Sequence, residues 1–372
     1  MALYAPNRMP LNAVARFALT AVCLGLTALL LAGCTGPDEA EVGEVEAQLF
    51  DPLEMTWSPR ALANAAPCLV GWRGDGASGA LVTLSGPTPA EVLWRTPADA
   101  NQLYMHLMAV DPAGSRMAGE VYSDEWGAEP AQRVLLFEPG GGVRDLPRPD
   151  GYEGVSDVVF CDVGALAIAY HATLDEFQTT LGVVAPGGEW RQLTLEGDVP
   201  PHQFIESLSA RPGSDLVGLV LKTAGDVDDR DEGLLVLARL EDSKLTVVTP
   251  PFCDDSLPGA QPLLDADGVV YARMWSTQDG ASAPTLMRVE WNGAEWIETE
   301  ILAPGAVAVG PETGQAVAQG PDGGFWIRDA EGDAHGEGAT LLRLAPGAIA
   351  PEPTSVDASG IGWFSWVEGS TD

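Results

Sequence analysis

The stretch AVDPAGSRMAGEVYSDEWGAEPAQRVLLFEPGGGVRDL, Ala109–Leu146, decides the fold. Together with the apolar run that begins at Leu103, it reads as one four-stranded antiparallel sheet. Leu103–Val110 is long enough for an inner strand. Asp111-Pro112-Ala113-Gly114 is a tight turn, with proline presetting φ and glycine taking the positive φ that other residues resist. Arg116–Tyr122 is the second strand and Arg133–Phe137 the third, joined by a polar loop that holds Asp124, Glu125 and Glu129. Pro139-Gly140-Gly141-Gly142 turns the chain into a short fourth strand, Val143–Leu146. A sheet this small cannot bury both faces by itself, so it needs neighbours.

Working outward, the same grammar recurs. Inner turns are marked by Gly114, Gly164, Gly213, Gly268, Gly314 and Gly360. The period of about 50 residues, with four strands per unit, is the spacing of a β-propeller blade. Outer hairpins recur at Pro186-Gly187-Gly188, near Glu241–Lys244 and at Asn292-Gly293, the last being a strong hairpin signal. The fifth unit is looser: Phe325–Arg328, a loop through Gly338, then Thr340–Leu344. The final unit has a turn and the strand Ile361–Val367 and then stops, while Gly79–Thr96 is an outer hairpin without an inner partner. Joined, the two ends complete a sixth blade, with Ile361–Val367 expected to pair with Gly79–Leu84. Such closure removes the free sheet edge that invites aggregation. The fold class is therefore all-β, a six-bladed propeller closed by strands from both termini over residues 67–372. Cys68–Trp72 is left over, as a further strand of the closing blade or a plug, and keeps seven blades as the alternative.

Composition agrees. The chain has 372 residues, of which 46% are hydrophobic, with Gly 43 and Pro 29 spread over turn-like points, which favours many short strands over disorder. The net charge of −35 disfavours nucleic acid and anionic membrane surfaces as partners. Beyond Cys34 three cysteines remain, Cys68, Cys161 and Cys253, so at most one internal disulfide forms; we read them as buried thiols.

Arg8 and Arg16 precede the apolar run Phe17–Leu31, the charged and hydrophobic regions of a secretory signal, too short for a span that needs about 20 residues. The run ends in Leu31-Ala32-Gly33-Cys34, which resembles the lipobox of bacterial lipoproteins at every position. The resemblance implies a signal peptide over 1–33 and diacylglycerol on the Cys34 sulfur, with a further acyl chain such as palmitate on the new amine. Thr35 follows where an aspartate would mark inner-membrane retention. The expected address is thus the outer membrane of a cell that has one, on its periplasmic or surface face. Residues 34–66 form an acidic tether, with Leu49–Pro67 open to lying along the domain. The repeats, DPAGSRMA…RVLLFEPGGGVRDL, resemble those of the propeller domain of TolB and related periplasmic propellers, from Leu103 to the C-terminus. RPGSDLVGLV and CDVGALAIAY depart from that pattern, and no TolB-like N-terminal domain precedes it.

Candidate sites follow from the loops between second and third strands, which share one rim. They carry Asp124, Glu125 and Glu129, then Asp175 and Glu176, then Asp226, Asp228, Asp229, Asp231 and Glu232, then Asp279. The third set is densest, but it lacks the D-x-D-x-D-G register of a calcium loop and is interrupted by Arg230, so we read it as a solvated acidic loop. Asp329–Gly338 is a second acidic loop, placed on the opposite rim. His106 and His171 lie on or just after strands one blade apart, within reach of the funnel near the axis, but no G-x-S-x-G or H-E-x-x-H motif accompanies them, and they read as satisfied polar or surface histidines. Trp363, Phe364 and Trp366 read as packing between blades. These observations predict no catalytic residue, resident metal or cofactor. They describe a monomeric, lipid-anchored binding or scaffold module of the cell envelope, holding the membrane through Cys34 and a protein or glycan at its rim. The alternative is an envelope enzyme, a glycan hydrolase or lyase working in the funnel.

Overall fold

Gln132–Phe137 shows how the molecule is built. Val134 and Leu136 belong to one buried cluster and Leu135 and Phe137 to another. Alternate residues of a strand point to opposite faces, so a run of four apolar residues means a sheet covered on both sides. In this computed structural model every sheet is covered in that way. It describes residues 52–74, 79–85, 91–97, 103–123, 132–172, 177–199, 204–210, 213–222, 233–254, 257, 262–264, 268–276, 282–302, 317–328, 340–346, 348 and 350–369.

Blade 1 contains β1 (Cys68–Gly74), β2 (Gly79–Thr83) and β3 (Val92–Arg95). Blade 2 is β4 (Leu103–Val110), β5 (Met117–Ser123), β6 (Gln132–Phe137) and β7 (Val143–Asp145). Blade 3 is β8 (Gly154–Cys161), β9 (Gly164–Ala172), β10 (Phe177–Val184) and β11 (Trp190–Gln192), followed by β12 (Thr194–Glu196). Blade 4 is β13 (Phe204–Ala210), β14 (Leu216–Lys222), β15 (Gly233–Glu241) and β16 (Lys244–Val247), with β17 (Phe252–Asp254) beside β15. Blade 5 is β18 (Leu263–Leu264), β19 (Val269–Ser276), β20 (Ser282–Trp291) and β21 (Trp296–Leu302). Blade 6 is β22 (Val317–Gln319), β23 (Phe325–Arg328), β24 (Thr340–Leu344) and β25 (Glu352–Asp357), and β26 (Ile361–Val367) returns to blade 1.

Six buried clusters occupy the six junctions among the described residues. Leu135 and Phe137 of blade 2 meet Trp72 and Trp94 of blade 1. Val134 and Leu136 meet Phe160 and Ala165 of blade 3. Ile168 and Leu181 of blade 3 meet Leu219 and Val236 of blade 4. Val220 and Leu235 meet Tyr271 and Val289 of blade 5. Val270 and Leu286 meet Phe325 and Ile327 of blade 6. Leu341 and Val356 meet Leu69 and Phe364 of blade 1, and the ring is closed. The protein is a six-bladed β-propeller.

Closure differs from the expectation in one respect. The order in blade 1 is β26-β1-β2-β3, so Ile361–Val367 pairs with Cys68–Gly74, running from Cys68↔Val367 to Arg73↔Ile361, and reaches Gly79–Thr83 only through it. The strand left over from the repeat count is the second strand of the blade. One strand comes from the C-terminal end and three from the N-terminal side. Gly360 therefore links the outermost strand of blade 6 to the innermost of blade 1, and the inner turn of blade 6 is at Gly320–Gly324, where Gly323 has φ 79°. Gly314 lies outside the described residues. Two equally turn-like glycine sites in one unit made the register ambiguous.

The compact unit begins at Phe50, well before Pro67. Met55, Trp57 and Leu62 are buried at the junction of blades 1 and 2, so this stretch of the 34–66 tether lies along the domain. Trp94 Nε1 donates to the Thr56 carbonyl at 2.7 Å, and Leu62 lies on a short helix, α1 (Pro59–Ala65). Its side chain reaches Gly114, whose φ of 70° and close neighbours Leu62 and Val367 both call for glycine. No helix among the described residues is long and apolar enough to cross a membrane.

Candidate functional site

The strand order defines two rims. The lower rim holds the turns between first and second strands and the hairpins between third and fourth; α1 and the end of β26 lie there, with the Glu368 N–H donating to the Pro112 carbonyl at 2.9 Å. The upper rim holds the facing ends of second and third strands. The acidic residues Asp124, Glu125, Glu129, Asp175, Glu176, Asp226, Asp228, Asp229, Asp231, Glu232 and Asp279 all fall outside the described residues, as do Cys34, His202 and His335. The strands they join can be placed: β14 and β15 flank 223–232 as second and third strands, and β23 and β24 flank 329–339 in the same way. Asp329–Gly338 itself lies outside the described residues; the strands on either side of it are the second and third of blade 6 rather than the third and fourth. The looser spacing of that unit had shifted its strands by one.

The described upper-rim residues are set by a repeated irregularity. β4, β8 and β13, the innermost strands of three successive blades, each carry a bulge, at Met108, Ser156 and Glu206. The residue just before each bulge is uniform: Leu107, Val155 and Ile205 are all buried. One step further up, the cross-strand pairs diverge. They are His106↔Glu120, Gly154↔Tyr170 and Phe204↔Lys222. Bulges re-aim side chains where a strand leaves its ladder, and here the ladder body repeats while its upper end does not.

In blade 2 the Glu120 carboxylate is buried and accepts the Tyr122 hydroxyl, and the exposed His106 ring stands edge-on to Tyr122 at 5.7 Å. In blade 3 the Tyr170 ring covers Gly154, where a Cβ would come within 2.6 Å of it. Tyr170 stacks on Phe177 at 6.0 Å, and Phe177 in turn meets Phe204 of blade 4 edge to face at 4.9 Å. Phe177 is 39% exposed. The Lys222 ammonium lies 5.7 Å from the centre of the Phe204 ring. His171 Nδ1 is 3.5 Å from Glu153 Oε1. Thus the two histidines singled out by sequence do sit on neighbouring blades, His106 on a first strand and His171 on a second. Glu120, Tyr122 and the aromatic trio were missed, because only the register brings them together.

Between blades 3 and 4 the Asp157 carboxylate accepts the Leu208 N–H across the junction and the Val158 N–H of its own strand, both at 2.8 Å. Burial pushes this carboxyl up to about 6 in spite of the two donors, which favour the charged form. Ser209 Oγ repeats the device one blade on, accepting the Leu264 N–H at 2.6 Å. Trp363 and Phe364 are buried and Trp366 half-buried, so they pack between blades and offer no open stacking surface. None of Cys68, Cys161 and Cys253 is in a disulfide, and only Cys161 is buried; Cys68 is half-buried and Cys253 exposed in the middle of β17. Burial raises the Cys161 and Cys68 thiols. Among the described residues no group of three or more His, Cys, Asp or Glu side chains is placed to hold a metal.

No protein-family model matches this chain, and no curated protein matches it. Solved structures do resemble it. The β-propeller domain of the Trilobed protease from Pyrococcus furiosus aligns at 10% identity and a TM-score of 0.42, covering 77% of this chain and 82% of that one. Puromycin hydrolase aligns at 16% and 0.42, covering 87% and 50%. A putative 6-phosphogluconolactonase from Bacteroides uniformis aligns at 11% and 0.39, covering 80% and 98%. At these scores the fold assignment rests on the six sheets and their six junctions, and no activity is carried over.

Proposed function

We propose that this protein is a lipid-anchored propeller of the bacterial cell envelope that works by binding a partner, without chemistry of its own, at the upper rim. The reading joins Leu31-Ala32-Gly33-Cys34, the sequence of a lipidation site, to the TolB-like look of the repeats. The observation that carries it is the placement of variation within the ring. Blade bodies repeat, the described chain from Pro52 enters along the lower rim, and the upper ends of β4, β8 and β13 each carry different chemistry. A module that is held from below and read from above needs that division. Two or more buried acyl chains, at about 0.8 kcal/mol per CH₂, anchor a protein stably. Expression of the full chain with labelled fatty acid tests the anchor. Label on the wild type, with loss of both label and membrane association in Cys34→Ala, is the expected result. An unlabelled wild type that still fractionates with membranes removes the reading.

One observation favours an enzyme instead. Glu120, Tyr122 and His106 gather a buried carboxylate, a phenol and an imidazole in one blade, groups able to hold and pass a proton. Glycan cleavage by the full chain that is lost in Glu120→Gln, with unchanged melting, would move the assignment to that reading.

A further inference from the structure

We propose that Tyr170, Phe177 and Phe204 form a docking platform for an arginine-bearing segment of a cationic polypeptide. The inference rests on the binding-module reading and supplies its partner chemistry. The three rings span the junction of blades 3 and 4 at the upper rim, in an unbroken chain of stacked and edge-to-face contacts. Phe177, its middle member, is the exposed one. Trp72, Trp94, Phe137, Trp363 and Phe364, by contrast, are buried in the interior.

Charge selects the occupant. The face of Phe204 already carries a cation, the Lys222 ammonium, so the platform's rings accept positive charge. In sequence Asp175 and Glu176 immediately precede Phe177, and Asp226, Asp228, Asp229, Asp231 and Glu232 follow Lys222 within one connection. Glu153 adds a described, exposed carboxylate beside His171. A guanidinium suits the exposed Phe177 ring and the exposed Glu153 carboxylate together: its plane stacks on aromatic rings and its fork pairs with carboxylates. An ammonium can do the second only as a point charge. A chain of net charge −35 also draws cationic partners towards it at long range.

The test uses the full chain in detergent micelles and labelled Gly-Ser peptides bearing arginines, lysines or glutamates, followed by fluorescence anisotropy at low and at physiological salt. The arginine peptide is expected to bind saturably and more tightly than the lysine peptide, and the glutamate peptide not at all. Phe177→Leu, which keeps apolar volume but removes the ring face, is expected to weaken the arginine peptide about fivefold to tenfold, with Phe177→Trp restoring it. Melting curves of both variants establish that the fold is intact. Equal affinity for arginine and lysine peptides, or equal affinity in wild type and Phe177→Leu, overturns the platform. So does a neutral oligosaccharide that competes in a Phe177-dependent way, which would make the occupant a glycan. Failure here with Cys34 acylated leaves the anchored module standing, whereas peptide binding without acylation removes only the anchor.

Discussion

Blade 1 and blade 4 solve the same problem with different materials. Blade 4 is one continuous stretch of chain, and its interior is aliphatic: Leu219, Val220, Leu221, Leu234, Leu235 and Val236 are all buried. Its outer edge is extended by β12, which pairs in parallel with β16, Lys244 and Glu196 bridging the two strands at 3.0 Å. Blade 1 is assembled from opposite ends of the chain. Bringing together strands about 290 residues apart, where a hairpin spans about 10, costs about 3 kcal/mol more in closure entropy. Blade 1 meets that cost with rings: Trp72 stacks on Trp94 at 6.0 Å, Trp94 meets Phe137 at 5.3 Å, and Trp57 arrives from the N-terminal segment to meet Phe137 at 6.2 Å. A fully buried large apolar side chain contributes about 1.5–3 kcal/mol, so two or three suffice. The seam of the ring is where the largest side chains are concentrated.

The strongest way to break this comparison is to remove the seam strand. Truncation after Gly360 deletes β26, exposes β1 and opens the clusters on both sides of blade 1. The truncated chain is expected to lose its cooperative melting transition and to aggregate. Unchanged melting and solubility would mean that the ring does not depend on this closure.

Two leucines sharpen the contrast at smaller scale. Leu219 and Leu62 are both fully buried, the first inside blade 4 and the second on the helix packed at the seam. Leu→Ala in a close-packed interior costs about 2–5 kcal/mol, with the spread set by how well the site can relax. Leu219→Ala is expected near the top of that range, because continuous strands hold the cavity open. Leu62→Ala is expected near the bottom, because α1 can shift or lift away. Denaturant midpoints of the two variants decide it, and an equal or reversed order would show that α1 is as rigidly held as the blades.

The smallest effect concerns what crosses the junctions. Blades 1 and 2 are linked by a neutral bond, Trp72 Nε1 to the Met105 carbonyl at 3.1 Å, whereas blades 3 and 4 are linked through Asp157. Asp157 titrates at about 6 when folded, against about 3.9 in an unfolded chain. The folded state therefore holds this proton more tightly. Its contribution to stability is fully present below about pH 4 and is lost as pH rises through about 6. Asp157→Asn keeps an oxygen to accept the Leu208 N–H, and it is expected to flatten the fall in melting temperature between those pH values. Identical slopes in the variant and the wild type would remove Asp157 from the account.

Much of the ring was legible in the sequence because turns are written in residues with few substitutes. Gly114, Gly213 and Gly187 have positive φ, as their places in the turns require, and Asn292 accepts the Ala294 and Glu295 N–H groups in the hairpin predicted at that point. What was not legible was the assignment of strands to places. Alternation with period two is the same for a first strand and a second, so Ile361–Val367 and Cys68–Gly74 were each recognisable as apolar strands without revealing that they are partners. The site was hidden for a related reason. Tyr170, Phe177 and Phe204 meet across a blade junction, and Glu120 faces His106 only because a bulge at Met108 sets the register. The acidic stretches are plain in composition, but composition says nothing of which side chains the register brings together.

The position of β1 has a mechanical consequence. It is the first strand after α1, so tension applied to the chain ahead of Phe50 reaches it once the packed segment holding Trp57 and Leu62 has yielded. Yet β1 is an interior member of its sheet, bonded to β26 on one side and β2 on the other. A pull along its length must shear two ladders together, whereas a terminal strand at a sheet edge can be unzipped one bond at a time.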